Sequence, residues 1–265
     1  IPELSMISHE ECSTLTCLLR GGLNSIYPKL KECEYLIPSF SLCSPTINGT
    51  STILEQLIEK SNITPFDFYC HIANVLICGY LELLRFGLGH ETHAQNTLLV
   101  WNSSEQRFSG ICIRDVESTK IGKKILQEYG VESQHENADN ARETRSMSVL
   151  PDDNPDIFTY FLTTGYTHGI IDSQLGFIVQ FLVARYGYKQ SSLIQIAKDI
   201  YMKWWREKGF SFESYSKYIS SYSVRRNLLC KGLNLNTTPV PYRKIKYNPF
   251  FPDYFEMKEF LKCNN

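Results

Sequence analysis

Residues 64–101 read TPFDFYCHIANVLICGYLELLRFGLGHETHAQNTLLVW, and their first half has the pattern of a long helix. Thr64 can act as the N-cap, Pro65 suits the first helical position, and Asp67 complements the helix dipole. Gly87 and Gly89 are expected to end the helix. Apolar and aromatic residues recur at helical spacing at Phe66, Tyr69, Ala73, Leu76, Ile77, Tyr80 and Leu84.

Two strand-type runs, 96–101 and 107–113, follow this helix and predict an antiparallel hairpin with a five-residue polar loop. If the pairing is centred on that loop, His93 faces Asp115 and Gln95 faces Ile113.

The expected pairing gathers polar side chains at the open end of the hairpin. Residues two apart share a strand face, so Glu91, His93, Gln95 and Asp115 can converge there. Glu91 and Asp115 have the oxygen ligands that Mg²⁺ prefers. Gln95 or Asn96 can complete the metal shell or hold a phosphate oxygen, and His93 can donate a hydrogen bond to a phosphate or carboxylate.

Other interpretations of this cluster stay open. Arg114 can clamp an anion if it faces the site. The same residues can instead form a structural polar network at a strand edge. A zinc site at His90 and His93 lacks a third ligand in the sequence.

The rest of the chain predicts mostly helices, so the expected fold class is α+β, predominantly helical with one small antiparallel sheet. A capping box formed by Thr52 and Glu55 opens one helix. The other expected helices lie at 10–20, from Ser25 or Pro28 to a break at 36–39, within 157–185, at 192–208 and near 256–262.

The net charge of −1 conceals an uneven distribution. Residues 185–265 carry fifteen Lys and Arg against six Asp and Glu, so residues 1–184 carry a net charge of −10. The acidic segment 131–156 predicts a loop or an exposed helix, and 185–265 a basic helical region. A basic half favours anionic ligands, or it complements the acidic half within the fold.

Nine scattered cysteines without a C-x-x-C pair argue against a disulfide framework, a zinc site or an iron–sulfur site. Reduced thiols predict a cytoplasmic protein. The longest apolar runs are shorter than a membrane helix requires, so no membrane span is expected. The sequence begins at Ile1 without an initiator Met and without a signal pattern, which predicts an internal cut in a longer protein.

One motif is specific enough to suggest a family. Residues 87–96 fit the pattern G-x-x-x-E-x-H-x-Q-N, and two strands then lead to Arg114-Asp115. This arrangement resembles the NRPS-independent siderophore synthetases, the IucA/IucC (aerobactin synthetase-like) family. Residues 15–20, 37–42 and 247–249 resemble further segments of that family.

The resemblance implies a hand-like synthetase fold and an ATP-dependent ligase. In that family a carboxylate, often of citrate, attacks the α-phosphate of ATP, and an amine or hydroxyl then displaces AMP from the acyl-adenylate. The implied cofactors are ATP and Mg²⁺. The implied partners are a citrate-like acid and an amine or hydroxyl substrate, with no membrane and no nucleic acid, and a homodimer stays open.

Carried over by position, Glu91 and Asp115 would serve magnesium and phosphates, and Gln95 and Asn96 the nucleotide and the metal shell. The expected catalytic residues are His93 and Arg114. Because the family's C-terminal half lines the acid pocket, Arg225, Arg226 and Lys231 are candidate substrate ligands, with a solvated basic face as the alternative.

The chain departs from the family pattern in one important respect. Full-length members are about twice as long, and their preceding half supplies an H-P-x-x-K motif and a nucleotide-binding segment, both absent from this sequence. We therefore expect residues 1–265 to be the C-terminal, palm-containing half of a synthetase and to form no siderophore amide alone.

Two other functions remain as alternatives. A histidine and an asparagine before one strand, with an aspartate after the next, are also typical of small-molecule phosphotransferases, although no Asp base follows His93 and no Gly-rich loop is present. A nonenzymatic nucleic-acid-binding module would use the basic, Tyr-rich C-terminal region.

Overall fold

The computed structural model describes residues 3–9, 12–20, 30–86, 88–90, 92–115, 119–122, 148–150, 169–171, 173–208, 224–226 and 242–244. Within the acidic segment 131–156 the description covers only 148–150. The helices expected over 157–168 and near 256–262 lie outside the described residues. The helix expected from Ser25 or Pro28 to the break at 36–39 is wrong over the part that is described, because residues 30–33 contain a bend and a turn and a strand begins at Glu34.

The other predicted helices that fall inside these ranges are confirmed, except the one at 10–20, which is described below. Helix α1 is Ile53–Ser61, and Thr52 and Glu55 form the expected capping box. Helix α2 is Pro65–Arg85, with Thr64 as its N-cap. Helices α3 and α4 follow at Gly176–Tyr186 and Gln190–Glu207, and residues 169–175 before α3 form a π-helical turn, with residue 172 undescribed. None of the described helices combines the length and the apolarity that crossing a membrane requires.

The main sheet contains the predicted hairpin and one strand that was not predicted. Strand β3 (Glu34–Pro38) pairs antiparallel with β5 (Thr97–Asn102), which pairs in turn with β6 (Arg107–Ile113). The run at 36–39, which the sequence suggested as a helix break, thus ends an edge strand, where a proline at the last position is tolerated. The α+β class with a small antiparallel sheet is confirmed.

The predicted register of the hairpin is wrong by two residues. Thr97 pairs with Ile113, whereas the prediction placed Gln95 there. The ladder is irregular between Val100 and Trp101, because Val100 pairs with Gly110 and Trp101 with Phe108. Ser109 is therefore an extra residue, a β-bulge that the loop-centred count could not include.

The remaining strands form three further sheets. Strand β1 (Glu3–His9) pairs antiparallel with β2 (Cys12–Arg20), so the helix expected at 10–20 is wrong. The leucines of that segment fit either period, and its Thr and Cys residues favour a strand. Strand β4 (Leu88–Gly89) pairs with β7 (Lys120–Gly122), which runs parallel to β8 (Ser148–Leu150); β9 (Val224–Arg226) pairs with β10 (Tyr242–Lys244).

Helix α2 is the centre of the hydrophobic core. Its buried face packs against α4, α3 and the main sheet. Phe68 on this helix contacts Trp101 and Phe108 of the hairpin, with ring centroids 6.3 and 5.8 Å away. The Tyr69 hydroxyl donates a hydrogen bond of 3.0 Å to the Leu193 carbonyl on α4. Burying each such side chain contributes about 1.5–3 kcal/mol, so α2 fixes the position of the hairpin.

Candidate functional site

The loop between β4 and β5 carries four of the nine predicted site residues, Glu91, His93, Gln95 and Asn96. Its residues turn tightly, because the Asn96 N–H donates to the His93 carbonyl at 2.8 Å. The Thr97 hydroxyl lies 3.1 Å from the Thr92 carbonyl and 3.3 Å from that of His93. Gln95 is exposed, His93 is half-buried, and Asn96 is buried.

The end of β6 joins this loop through Arg114. The Arg114 N–H donates to the Asn96 carbonyl at 3.0 Å, and its side-chain Nε donates to the Gln95 carbonyl at 2.7 Å. The next residue, Asp115, is exposed and has a left-handed backbone with φ of 63°. The structure therefore brings Gln95, Asn96, Arg114 and Asp115 to one end of the hairpin, although in a different register from the one predicted.

His90 supports the same corner from inside the protein. Its side chain is 4% exposed, and its Nε2 lies 3.1 Å from the Arg114 carbonyl, which can only accept a hydrogen bond. Nε2 therefore carries a proton, and Nδ1 lies 2.8 Å from the Thr119 hydroxyl. Both ring nitrogens are thus engaged, which makes His90 a structural residue rather than a zinc ligand in this conformation.

A buried glutamine on the π-helical turn holds the loop from its other side. Gln174 is 2% exposed, and its Nε2 donates to the Thr92 carbonyl at 2.6 Å. The same nitrogen lies 3.2 Å from both the Thr97 hydroxyl and the Gly169 carbonyl. Its Oε1 accepts a hydrogen bond of 2.5 Å from Ser39, just after β3.

Two neighbours of Gln174 extend this contact. The Ala94 N–H donates to the Ser173 hydroxyl at 3.0 Å, and that hydroxyl donates to the Gly169 carbonyl at 2.5 Å. Gly169 packs so closely on the loop that a Cβ atom there would lie 2.6 Å from the Thr92 hydroxyl oxygen. Only a glycine fits this approach without displacement of the loop.

Sequence reasoning missed this second group of residues. Ser39, Gly169, Ser173 and Gln174 carry no recognisable catalytic motif. The available signal was the polar run Asp172-Ser173-Gln174 between the apolar residues Ile170-Ile171 and Leu175. A polar side chain at a core position of a helix requires hydrogen-bond partners, and here the partners are in the loop.

Several predicted site residues remain untested. Glu91 and Lys231 lie outside the described residues. Arg225 and Arg226 are described as part of β9, where Arg225 pairs with Arg243 and Arg226 with Tyr242. No group of three or more possible metal-ligating His, Cys, Asp or Glu side chains occurs among the residues that the structure describes, a set that excludes Glu91.

Comparisons with known proteins give a match at the level of structure. Neither the family models nor the curated proteins contain a match to this sequence. Among solved structures, the petrobactin biosynthesis protein AsbB from Bacillus anthracis str. Sterne matches 98% of this chain with a TM-score of 0.67 and 16% identity. The aerobactin synthetase IucC from a hypervirulent pathotype of Klebsiella pneumoniae matches 84% with a TM-score of 0.55 and 16% identity. ATP-bound IucA from the same pathotype matches 91% with a TM-score of 0.54 and 14% identity.

These neighbours confirm the fold that the motif suggested. The chain has the fold of the IucA/IucC siderophore synthetases, over a part of their length. It spans 42% of AsbB, 37% of IucC and 41% of the ATP-bound IucA.

Proposed function

We propose that this chain is the C-terminal part of an ATP-dependent siderophore synthetase that activates a citrate-like acid as an acyl-adenylate. The observation that carries the proposal is the loop 90–97 with Arg114 and Asp115. It presents an exposed amide, an exposed carboxylate and a half-buried imidazole at one end of the hairpin, within a fold shared with synthetases of which one was solved with ATP bound.

The donor set fits a magnesium nucleotide. Asp115 and Gln95 offer exposed oxygen atoms, which are the ligands that Mg²⁺ takes from proteins. Bound Mg²⁺ would neutralise charge on the ATP phosphates. Asp115 and Glu91 would hold the ion, Gln95 and Asn96 would hold the nucleotide and the metal shell, and His93 would donate a hydrogen bond to a phosphate or to the substrate carboxylate.

The charge of Arg114 suggests that it binds an anion, but its contacts support a different role. Its Nε is bonded to the Gln95 carbonyl, which supports a positioning role for the side chain. Its assignment as a catalytic residue stays a prediction.

The reaction proceeds in two displacements. A carboxylate oxygen of the acid attacks the α-phosphorus of ATP, and the bond to the departing pyrophosphate breaks. The amine or hydroxyl then attacks the acyl carbon, AMP leaves with the bonding electron pair, and the nucleophile loses its proton. Fixed hydrogen-bond donors near the phosphates favour the first step because charge develops there.

The acid substrate would bind near the basic C-terminal region. Strands β9 and β10 pair Arg225 with Arg243 and Val224 with Lys244. This arrangement supports Arg225 and Arg226, with Lys231, as ligands of a polycarboxylate.

A cytoplasmic location is part of the proposal. Cys33, Cys43, Cys70, Cys78 and Cys112 are unpaired, which suits a reducing compartment. ATP and Mg²⁺ are both available there.

Hydroxylamine trapping tests the ligase directly in the whole natural polypeptide that contains this chain. We expect hydroxamate and AMP to form from a citrate-like acid, with a requirement for ATP and Mg²⁺. Asp115→Asn should abolish the product, and Asp199→Asn, at an exposed position of α4, should not. The isolated 265-residue chain should form neither product.

Three outcomes would contradict this assignment. Formation of ADP instead of AMP would favour a phosphotransferase. The absence of hydroxamate with any citrate-like acid, together with unchanged behaviour of Asp115→Asn, would exclude the ligase. Sustained AMP release by the isolated chain would overturn its assignment as an incomplete part.

A further inference from the structure

The π-helical turn at 169–175 contacts the candidate ligand loop more extensively than packing alone requires. Gln174 donates to the Thr92 carbonyl at 2.6 Å and lies 3.2 Å from the Thr97 hydroxyl. Ser173 accepts from the Ala94 N–H at 3.0 Å. Thr92, Ala94 and Thr97 of the loop are therefore all bonded to one turn of the chain. Gln174 and Thr92 are 82 positions apart in the sequence.

The same side chain joins the loop to a third segment. Gln174 Oε1 accepts the hydrogen bond from Ser39, which follows the edge strand β3. The Phe40 N–H in turn donates to the Ala94 carbonyl at 3.3 Å. One buried amide thus connects the end of β3, the loop and the π-helical turn.

The spacing of the turn suits this function. A π-helical turn carries one more residue than an α-helical turn, and such insertions are frequent at functional sites. Here it allows the adjacent residues Ser173 and Gln174 both to bond the loop. Gly169, the first described residue of the turn, lies too close to Thr92 for a Cβ atom to fit without displacing the loop.

We propose that the π-helical turn at 169–175 is a positioning element. Gln174 fixes the backbone of residues 92–97 and thereby places His93, Gln95 and Asn96 toward the ligand. Gln174 has no direct contact with the ligand in this proposal. Its effect on MgATP rests on the proposed function, whereas its effect on the loop does not.

Gln174→Glu is the sharpest test, because it keeps the shape of the side chain and removes its donor. At about pH 8 the ionised carboxylate would face the Thr92 and Gly169 carbonyls, which are acceptors. When protonated, the carboxyl group regains one donor. The groups bonded to Gln174 are Ser39, Thr92, Thr97 and Gly169, and none of the four titrates. The loop itself contains His93, and His90 lies beside it, so the effect of the introduced group is the difference between Gln174→Glu and the wild type at each pH.

Hydrogen exchange in the full chain reads out the loop without any ligand. We expect the amides of 92–97 to exchange about 10-fold faster in Gln174→Glu than in the wild type at about pH 8, since about 1.4 kcal/mol corresponds to a factor of ten. After correction for intrinsic exchange rates, the protection of the 92–97 amides in Gln174→Glu should recover toward about pH 5.5. Burial raises the pKa of a carboxyl group, so the introduced side chain should be protonated there and regain one donor. Amides in the centre of α2 should keep their protection.

Gln195→Glu is the matched control. Gln195 is exposed on α4 and bonds Asp199 at 2.9 Å, so its substitution should leave the loop unchanged at every pH. If Gln174→Glu does not fold, Ser173→Ala should loosen the same loop to a smaller extent, with the largest change at the Ala94 amide.

The outcomes separate the two proposals. Unchanged protection of 92–97 in the folded variant at about pH 8, or an equal loss of protection in α2, would overturn the positioning role. In the whole natural polypeptide, wild-type binding of MgATP with unchanged affinity in Gln174→Glu would also overturn it. If the wild type does not bind MgATP but the loop loosens as expected, the nucleotide assignment fails and the positioning of the loop stands.

Discussion

The Nε atom of Arg114 lies 2.7 Å from the main-chain carbonyl oxygen of Gln95, to which it donates a hydrogen bond. The main-chain N–H of the same arginine donates to Asn96 at 3.0 Å. Two adjacent loop residues are therefore fixed by one residue at the end of β6. A charged side chain that the motif suggests for catalysis is used to shape the backbone beside it.

Arg114→Lys should loosen this corner. A lysine cannot reproduce the directed Nε–H of the guanidinium group. We expect a decrease of about 0.5–1.5 kcal/mol in the free energy of unfolding, measured by urea denaturation. Arg107→Lys is the control, because Arg107 is exposed and forms an ion pair with the exposed Glu105. Exposed ion pairs contribute little to stability. Equal losses in the two variants would contradict a specific role for the Gln95 bond.

Asp115 combines an unusual backbone with a proposed ligand role, and substitution can separate the two. Its φ of 63° is in the left-handed region, which Gly and Asn tolerate well and Ala does not. We expect Asp115→Ala to unfold more easily than Asp115→Gly by about 1 kcal/mol. Asp115→Ala, Asp115→Gly and Asp115→Asn should all lose Mg²⁺-dependent nucleotide binding, measured by calorimetry in the whole polypeptide.

The Asp115→Gly result decides between backbone and ligand. If it binds MgATP as the wild type does, the carboxylate is not needed and Asp115 contributes only its conformation. If only Asp115→Asn fails to bind, loss of the charge cannot explain the result, because Asp115→Gly and Asp115→Ala remove the same charge, and the ligand role of the carboxylate is contradicted.

Features encoded by neighbouring residues could be predicted from the sequence. Helix α2 begins with Thr64 and Pro65 as expected, because capping depends on side chains within one turn of the helix end. The hairpin strands were also predictable, since each is a short apolar run. The register was not. One residue of the error comes from the connection, which is 103–106 where five residues were expected, and the other comes from the bulge at Ser109, which no local pattern marks.

Long-range polar contacts explain most of what the sequence could not show. Gln174 and Ser39 are 135 positions apart and share one hydrogen bond. No periodicity links them, and their proximity depends on how α3 and β3 are placed by the core. The candidate site was therefore found through its motif, while the residues that hold it were visible only in the folded chain.

The cap of α1 predicts a dependence of stability on pH. The pKa of Glu55 is lowered from its usual 4.5, first by the hydrogen bond from the main-chain N–H of Thr52. Burial is the next largest influence and raises this pKa, whereas the Arg185 and Thr52 side chains lower it. Because the folded-state pKa is the lower one, this contribution to stability is present above the usual pKa and is lost as the pH falls through the lowered value.

Glu55→Gln should therefore reduce the loss of stability between about pH 5 and pH 3, measured as urea midpoints. Glu59→Gln, at an exposed position of the same helix, should leave that loss unchanged. Thr52→Ala should lower the free energy of unfolding by about 0.5–2 kcal/mol at neutral pH, since it removes the cap itself. An identical pH response in the two glutamate variants would contradict the assignment to the cap.

The close contact between α2 and β6 gives a prediction that links the core to the site. A Cβ atom on Gly79 would lie 2.9 Å from Cδ1 and Cγ1 of Ile111. In a helix interior, replacing glycine with alanine gains about 1 kcal/mol, but overpacking costs about 1–3 kcal/mol. We expect Gly79→Ala to destabilise the protein. In an Ile111→Ala background, the same substitution should destabilise it less or should stabilise it.

A double-mutant cycle measures this coupling as a difference in free energies of unfolding. Gly110→Ala is the control, because a Cβ there meets no atom within 4 Å although the residue is next to Ile111. Since β6 leads directly to Arg114, a displaced strand should also weaken the Arg114–Gln95 bond, so Gly79→Ala should speed exchange of the loop amides. If the cycle shows no coupling while the loop amides still exchange faster, the displacement does not pass through Ile111. The effect of α2 on the loop would then pass through β4, with which α2 is also in contact.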